Sequence, residues 1–536
     1  MADPKLHRRL VASPVALFLV AVFAVQAFAW NARIGNIDTY NQLVNTVHFA
    51  QTGRFGVDPE TFRKEVVPAG GFPKAAAATT LQWVPIGEGG DRYQAHDIGN
   101  KLLMTPAAVF TTLVGNQPRG VLTPTAMTKV LAAASIAAFA MLLPLFLLLA
   151  LRVVLSMRAA LNWAALGLVA TILLPYVKGT WDVMPCAVLT AGAVWLSLRR
   201  LASPPDSSVW GSVAFGALCG GAGLFRITLM PTLVLAFVLT ELVVARRNRA
   251  APRATMLVIG AGLAAMVVVL IPEFWVNTSE SGRFWRPGVA SDLTEPHLLS
   301  WAPIRGALGL FASPNRGLLV FSPVFLLLLA LPFVWRRLGP VARMYMAVWA
   351  LPVLGYVLAV GSVDNWGAFG WGPRYFVPII PVLWVAAACA GHEVLRDRST
   401  PAVVWSVVIG VSVLLAVVPT VTNWDAVSSL DGSVTSTRTD YPKQLVETIR
   451  YTGRRIPLER THESPATDAD VDTNRWPDLA VVSATRKAGI PVALGYLAEI
   501  ALLALAGIAF AAARRAAASD PDASDPDPSG TAPAIS

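Results

Sequence analysis

The chain is expected to be an all-α polytopic membrane protein, a bundle of about twelve transmembrane helices with amphipathic helices in its first external loop. Three observations lead there. Of 536 residues, 55% are hydrophobic and only 14% are charged, with a mean hydropathy of +0.55. Apolar runs close to the ~20 residues needed to cross about 30 Å of hydrocarbon recur along the whole length. Basic residues gather in the short segments on one side of these runs, as expected of loops that resist translocation. Each run must be helical, because an unpaired backbone N–H or C=O finds no partner in lipid.

The runs fall near residues 11–30, 128–151, 159–175, 183–198, 209–224, 230–245, 256–275, 318–335, 344–360, 376–391, 403–421 and 491–512. Lys5, Arg8 and Arg9 precede the first; Arg152 and Arg158 follow the second; Arg199 and Arg200 follow the fourth. Arg246, Arg247, Arg249 and Arg253 follow the sixth, Arg336, Arg337 and Arg343 the eighth, Arg396 and Arg398 the tenth, Arg514 and Arg515 the last. This alternation puts both termini in the cytoplasm. The stretch 102–114 is too short to cross and, counted as a span, would invert the pattern, so it is expected to lie at the interface or to re-enter. The first run could be taken for a signal peptide, but Ala27-Phe28-Ala29 is a poor cleavage site and the length suits an uncleaved anchor.

The domain plan is therefore a membrane module over 1–421 that includes the first external loop, 31–125, then an external loop over 422–490, a last span at 491–512 and a cytoplasmic tail over 513–536. From Ser519 the tail is rich in Ser, Asp and Pro and cannot bury a core. The net charge of +10 does not argue for nucleic acid, because much of the excess sits on cytoplasmic rims facing anionic lipid. Cys186, Cys219 and Cys389 all fall inside apolar runs, which suits packing rather than disulfides or paired-thiol metal sites. The six histidines form no metalloprotease helix motif.

With short cytoplasmic loops, the mass outside the membrane is external: about 31–125, 276–317, 362–374 and 421–490. Chemistry is expected on that face. The 421–490 loop has too few apolar residues for a core of its own and is expected to pack on the membrane module.

Asp38 is the leading catalytic candidate. It stands just beyond the first apolar run, where a charge is poorly solvated and costly to keep. Residues 38–52 have helical spacing: Ile37, Tyr40, Val44, Val47 and Ala50 form an apolar stripe, and Asp38, Asn41, Asn45, His48 and Thr52 a polar one. Such a helix lies along the interface with its apolar side in lipid or against the bundle. Asp38 also reads as a helix N-cap, and the two roles are compatible. His96 and Asp97 make a second titratable pair, open to loop hydrogen bonding or to function. Lys178, Asp182, Arg226, Arg316 and Arg374 lie at the outer tips of apolar runs. A guanidinium there needs an anionic partner, either a structural carboxylate, a lipid headgroup or a bound phosphate.

At these positions the chain resembles the polytopic GT-C glycosyltransferases, which take sugar from a polyprenyl-phosphate carrier. The similar segments are Asp38, Tyr176 to Asp182, Gly220-Gly221-Ala222-Gly223-Leu224-Phe225-Arg226, Ser313-Pro314-Asn315-Arg316-Gly317-Leu318 with Phe321-Ser322-Pro323, and Trp371-Gly372-Pro373-Arg374-Tyr375 with Pro378 and Pro381. The last two are the most specific. Asn315 departs from an expected Gly, and Asp38 stands alone where an Asp-x-Asp or Glu-x-Asp pair would hold a metal. No cofactor is therefore required, and a divalent cation beside Asp38 is left without its second acid.

The resemblance implies a GT-C-like bundle and a mechanism. A polyprenyl-phosphate sugar would seat its phosphate near Arg226, Arg316, Arg374 and Lys178, which stabilise charge on the departing phosphate. Asp38 would take the proton of an acceptor hydroxyl as it attacks the anomeric carbon, with inversion. One carboxylate suffices, unlike the two acids of glycoside hydrolysis. Asn41, Asn45, His48, His96, Asp97 and Asp182 are candidate sugar or acceptor contacts, and Trp366 and Trp371 candidate stacking faces, though Trp also anchors at membrane interfaces. The acceptor would be a cell-envelope glycan, lipid or protein, reached from the outer face of a bacterial plasma membrane. Ala-, Val- and Arg-rich usage points to a GC-rich genome, with mannose or arabinose as candidate sugars. The rival reading is a secondary transporter, or a flippase or ligase of lipid-linked sugars. Against transport, no matched pair of interrupted helices marks two halves, and the charges gather at the outer face rather than the midplane. A scaffold explains the costly outer charges least well.

Overall fold

The computed structural model describes residues 13–30, 37–66, 83–85, 90–94, 97–178, 180–202, 209–281, 302–363, 371–396, 400–422, 424, 427, 442–452, 454 and 479–519. Within the described residues, each of the twelve apolar runs falls mainly on helical backbone. Among the described residues, seven helical segments are long and apolar enough to cross a membrane: Ala126–Arg152, Ile227–Arg247, Pro252–Ser279, Pro340–Gly361, Arg374–Arg396, Ala402–Val421 and Val492–Ser519. The chain is an all-α polytopic membrane protein with one small exception. Two three-residue strands, β1 (Trp83–Pro85) and β2 (Arg92–Gln94), pair antiparallel inside the first loop, with Val84 opposite Tyr93.

The helices used below are α1 (Pro14–Ala29), α2 (Ile37–Thr52), α3 (Gly99–Leu113), α4 (Ala126–Ala140), α5 (Leu142–Arg152), α6 (Met157–Val169), α7 (Leu173–Lys178), α8 (Val183–Ala202), α9 (Val209–Phe225), α10 (Met230–Arg247), α11 (Pro252–Ser281), α12 (Pro303–Ala312), α13 (Pro340–Gly361), α14 (Ile380–Arg396), α15 (Thr400–Val421), α16 (Lys443–Tyr451), α17 (Ala480–Lys487) and α18 (Val492–Ser519). One continuous core joins α1, α4 through α15 and α18, with Trp349, Trp371, Trp384, Trp424 and Tyr176 among its largest buried side chains.

Two apolar runs break in the middle, and neighbouring hydroxyls take up backbone N–H groups at each break. Between α6 and α7, Thr171 Oγ1 donates to Gly167 O (2.7 Å) and accepts from Leu173 N (3.2 Å), while Ile172 N donates to Ser322 Oγ (2.9 Å). Ser322 itself sits where the run at 318–335 changes from a short helix to a 3-10 helix over Pro323–Ala330, and Val324 N donates to Ser412 Oγ (2.7 Å). Backbone groups freed by a helix break are tolerated in a membrane when neighbouring hydroxyls take them up.

Small residues let α9 and α11 approach. A Cβ added at Gly216 would collide with the carbonyl oxygen of Gly262, and one added at Gly220 would lie 2.6 Å from Met266 O. Gly216 and Gly220 are four apart, the spacing that lets membrane helices pack backbone to backbone. This contact matters for the site because α9 ends beside Arg226 and α11 carries Glu273.

Arg200, read above as one of the cations that set topology, is buried at 5% exposure against Glu241 at 2%. Its Nε donates to Glu241 Oε1 (2.9 Å) and its Nη2 to Oε2, a two-pronged pair between α8 and α10. A charge this deep needs such a partner. The stretch at 102–114, expected at the interface, is α3, whose 15 residues are held between α2 and α4.

Candidate active site

The apolar stripe of α2 turns inward, not to lipid. Tyr40, Leu43, Val44 and Val47 are buried against Met104, Ala107 and Ala108 of α3 and Ala132, Ala133 and Ile136 of α4. At its N-terminus, Thr39 Oγ1 donates to Thr180 O (2.7 Å), tying the start of α2 to the segment that leads into α8. Asp38 and the pair Trp181-Asp182 are thereby brought to one place.

There, Arg374 Nη1 lies 3.5 Å from Asp38 Oδ2, and Arg226 Nη2 lies 3.3 Å from Asp182 Oδ2. Tyr375 joins the two pairs: its ring centroid is 5.3 Å from the Arg226 guanidinium and 5.6 Å from that of Arg374. Arg374 also lies 4.5 Å over the Trp181 ring. Cations over aromatic faces are attracted by the ring quadrupole, so Trp181 and Tyr375 help hold the guanidiniums in place. Tyr375 is in turn fixed at its carbonyl, which accepts from Tyr356 Oη (2.7 Å). Side-chain exposure is 12% for Arg374, 21% for Asp38, 13% for Arg226 and 17% for Asp182, so a solute can reach all four. Nε of Arg226 and Nε of Arg374 are buried with no hydrogen-bond partner among the described residues. The arrangement offers forked donors beside a carboxylate, the combination suited to gripping a phosphate next to a proton acceptor.

Arg316 is fully buried behind this group. Its Nη1 donates to Gln444 Oε1 (3.2 Å), which also accepts from Gly372 N (3.1 Å), and Gln444 N donates to Asn315 Oδ1 (2.7 Å). Asn315, the departure from the expected Gly, thus supplies the acceptor that docks α16 onto the 313–317 turn. Burial pushes the Arg316 guanidinium down to about 10, with Tyr176 opposing and Arg374 adding to the shift. The segment holding α16 packs on the rest of the helical bundle through this clasp.

Asp97 borders the Arg226 end of the group. Its Oδ2 accepts from Ile227 N (3.3 Å), and the next residue, Ile98, donates its N–H to Glu273 Oε2 (2.9 Å). Burial raises the Asp97 carboxyl well above the usual range; Glu273 adds to this and Arg226 opposes it.

The remaining sequence candidates are placed differently. Lys178 Nζ donates to Thr420 O (3.0 Å) and Thr422 O (2.8 Å), so its charge serves the carbonyl end of α15, where cations are favoured. This departs from the expectation of a phosphate contact. Asn45 Nδ2 donates to Phe55 O (2.7 Å) and His48 Nε2 to Gly56 O (2.9 Å), fastening the turn after α2 instead of facing the arginines. Burial lowers the His48 pKa, against the pull of the Gly56 carbonyl. Asn41 is buried on the same helix. Trp371 has no exposed face: it is buried edge-on against Phe321 (4.8 Å), and its carbonyl accepts from Tyr176 Oη (3.0 Å). His96 and Trp366 lie outside the described residues. Among the described residues no three His, Cys, Asp or Glu side chains gather as a metal site.

Four residues at the site escaped the sequence reading as site residues: Tyr375, Trp181, Glu273 and Gln444. Only Glu273 carried a signal, an acid inside an apolar run.

No protein-family model matches the chain, and no curated protein matches it. Among solved structures, the chain is similar to ArnT from Cupriavidus metallidurans bound to undecaprenyl phosphate, at 16% identity and a TM-score of 0.46, covering 88% of this chain and 78% of that one. It is also similar to the oligosaccharyltransferase AglB from Archaeoglobus fulgidus in complex with an inhibitory peptide and a dolichol-phosphate, at 14% identity and a TM-score of 0.40 over 78% of this chain. It spans only 56% of the archaeal protein's length.

Proposed function

We propose that this protein is a membrane glycosyltransferase of the GT-C type that moves a sugar from a polyprenyl-phosphate donor to a hydroxyl of a cell-envelope acceptor. The observation that carries the reading is the 3.5 Å approach of Asp38 to Arg374, continued through Tyr375 to Arg226 and Asp182. Arg374 and Arg226 hold the donor phosphate and stabilise the charge that grows on it as the bond to the anomeric carbon breaks. Asp38 exchanges its guanidinium partner for the acceptor hydroxyl and takes that proton, and the single displacement inverts the anomeric centre. Asp182 keeps Arg226 oriented. The site faces the extracytoplasmic side, with both termini in the cytoplasm, and mannose and arabinose are the first sugars to try.

The test is to incubate purified protein with a panel of polyprenyl-phosphate sugars and follow release of the free carrier phosphate. Acceptor-dependent release from at least one donor is expected, with the anomeric configuration of the product inverted. Uptake of the intact sugar into vesicles without carrier release would favour the transporter reading instead.

A further inference from the structure

A second site lies at the far ends of the same helices. Phe18 and Val22 of α1, Leu166 of α6, Leu395 of α14 and Phe510 of α18 wall a cavity of about 800 Å³. Its lining also includes Arg158, His392, Arg396 and Arg514, and no acidic residue among those described. Helix direction places it away from the Asp38 group. The chain enters α14 from Arg374 and leaves it at Arg396; α1 ends at Trp30, whose carbonyl accepts from Ala480 N (3.0 Å) ahead of α18, while Arg514 lies in the last turns of α18.

The three arginines are solvent-exposed and make no ion pair with a carboxylate among the described residues. Another cavity shows the contrast. It is lined by Arg199, Arg200 and Trp195, but there Arg200 is taken by Glu241 and Arg199 stacks on Trp195. Apolar walls ending in unneutralised guanidiniums match an amphiphile with acyl chains and an anionic headgroup, and basic pockets between membrane helices hold such headgroups. Arginine suits the phosphodiester through its paired donors.

We propose that this cavity binds one anionic diacyl phospholipid from the leaflet opposite the Asp38 site, its phosphate held by Arg158, Arg396 and Arg514 and its chains lying along α1, α6 and α18. The lipid fastens α18, the last helix, to the module that carries the arginines of the active site.

Delipidated full-length protein is titrated with phosphatidylglycerol, phosphatidylcholine or undecaprenyl phosphate, and the first bound molecule is followed by native mass spectrometry. The wild type should take phosphatidylglycerol in preference to both others. Neutralising all three arginines (Arg158→Gln, Arg396→Gln, Arg514→Gln) should weaken it by on the order of a hundredfold, roughly fivefold per charge, and the matching lysine variant should keep most of the affinity. Leu166→Trp, which fills the cavity and leaves the charges, should also weaken it, so the outcome does not hang on one variant folding. Equal binding of phosphatidylcholine, displacement by undecaprenyl phosphate, or undiminished binding in the folded Gln and Trp variants would each overturn the proposal.

Discussion

Asp38 and Arg374 stand 336 residues apart in the chain and 3.5 Å apart in space. Each places a charge beside an apolar bundle, and each offsets the other's desolvation while staying partly exposed. Tyr375 then links the motif to a second pair, its ring lying 5.3 Å from the Arg226 guanidinium and 5.6 Å from that of Arg374. Two acids and two guanidiniums around one aromatic ring define what the site can do: neutralise an anion and accept a proton within a few ångströms.

Arg374→Ala should weaken capture of a polyprenyl-phosphate donor by roughly 10- to 100-fold, the worth of hydrogen bonds to a charged group. Arg374→Lys should recover part of that, because it restores charge but not the fork. Donor titration against the three proteins checks the order native, Lys, Ala.

Asp97 imposes a pH dependence whose sign follows from its raised pKa. Its folded-state pKa lies above its unfolded one, so its contribution to stability is fully present below the unfolded pKa and is lost as pH rises through the folded pKa. The thermal midpoint of the solubilised protein should therefore fall as pH rises above the ordinary aspartate value of 3.8, and Asp97→Asn should flatten that limb. His48 acts on the other limb. Its lowered pKa costs stability as pH falls below its unfolded value of 6.5.

Removing one partner of the Arg200–Glu241 pair leaves a buried charge uncompensated. Arg200→Leu alone should cost about 3–5 kcal/mol, while the double variant with Glu241→Leu should regain most of it. Unfolding of the solubilised single and double variants measures the difference.

Gly216→Leu should force α9 and α11 apart, since even a Cβ meets the Gly262 backbone. A cost of about 1–3 kcal/mol is typical of such overpacking. Because Arg226 lies just past the end of α9, transfer should fall more than donor-independent stability does, which parallel rate and melting measurements will show.

The membrane class and the positions of all twelve apolar runs were legible because length and hydropathy are local properties. Asp38, Arg226 and Arg374 were legible for a related reason: a charge against an apolar segment is costly and so stands out. What stayed hidden was tertiary. Lys178 had the same local signature as Arg374, yet its ammonium reaches the carbonyls of Thr420 and Thr422, a contact no spacing in its own segment encodes. Trp371 reads as a candidate stacking face, but Phe321 and Tyr176 pack against it. Arg200 passed as a rim cation because Glu241 lies inside a different apolar run. Tyr375 has no local signal of a role, since only the approach of two arginines far apart in the chain gives it one.

The central claim is tested most directly by Asp38→Asn, assayed for single-turnover sugar transfer with donor binding measured on the same protein. Transfer should fall by roughly 10² to 10⁴, the usual worth of a general base, while the donor still binds through Arg226 and Arg374. Transfer at the native rate by a folded Asp38→Asn protein would contradict the account.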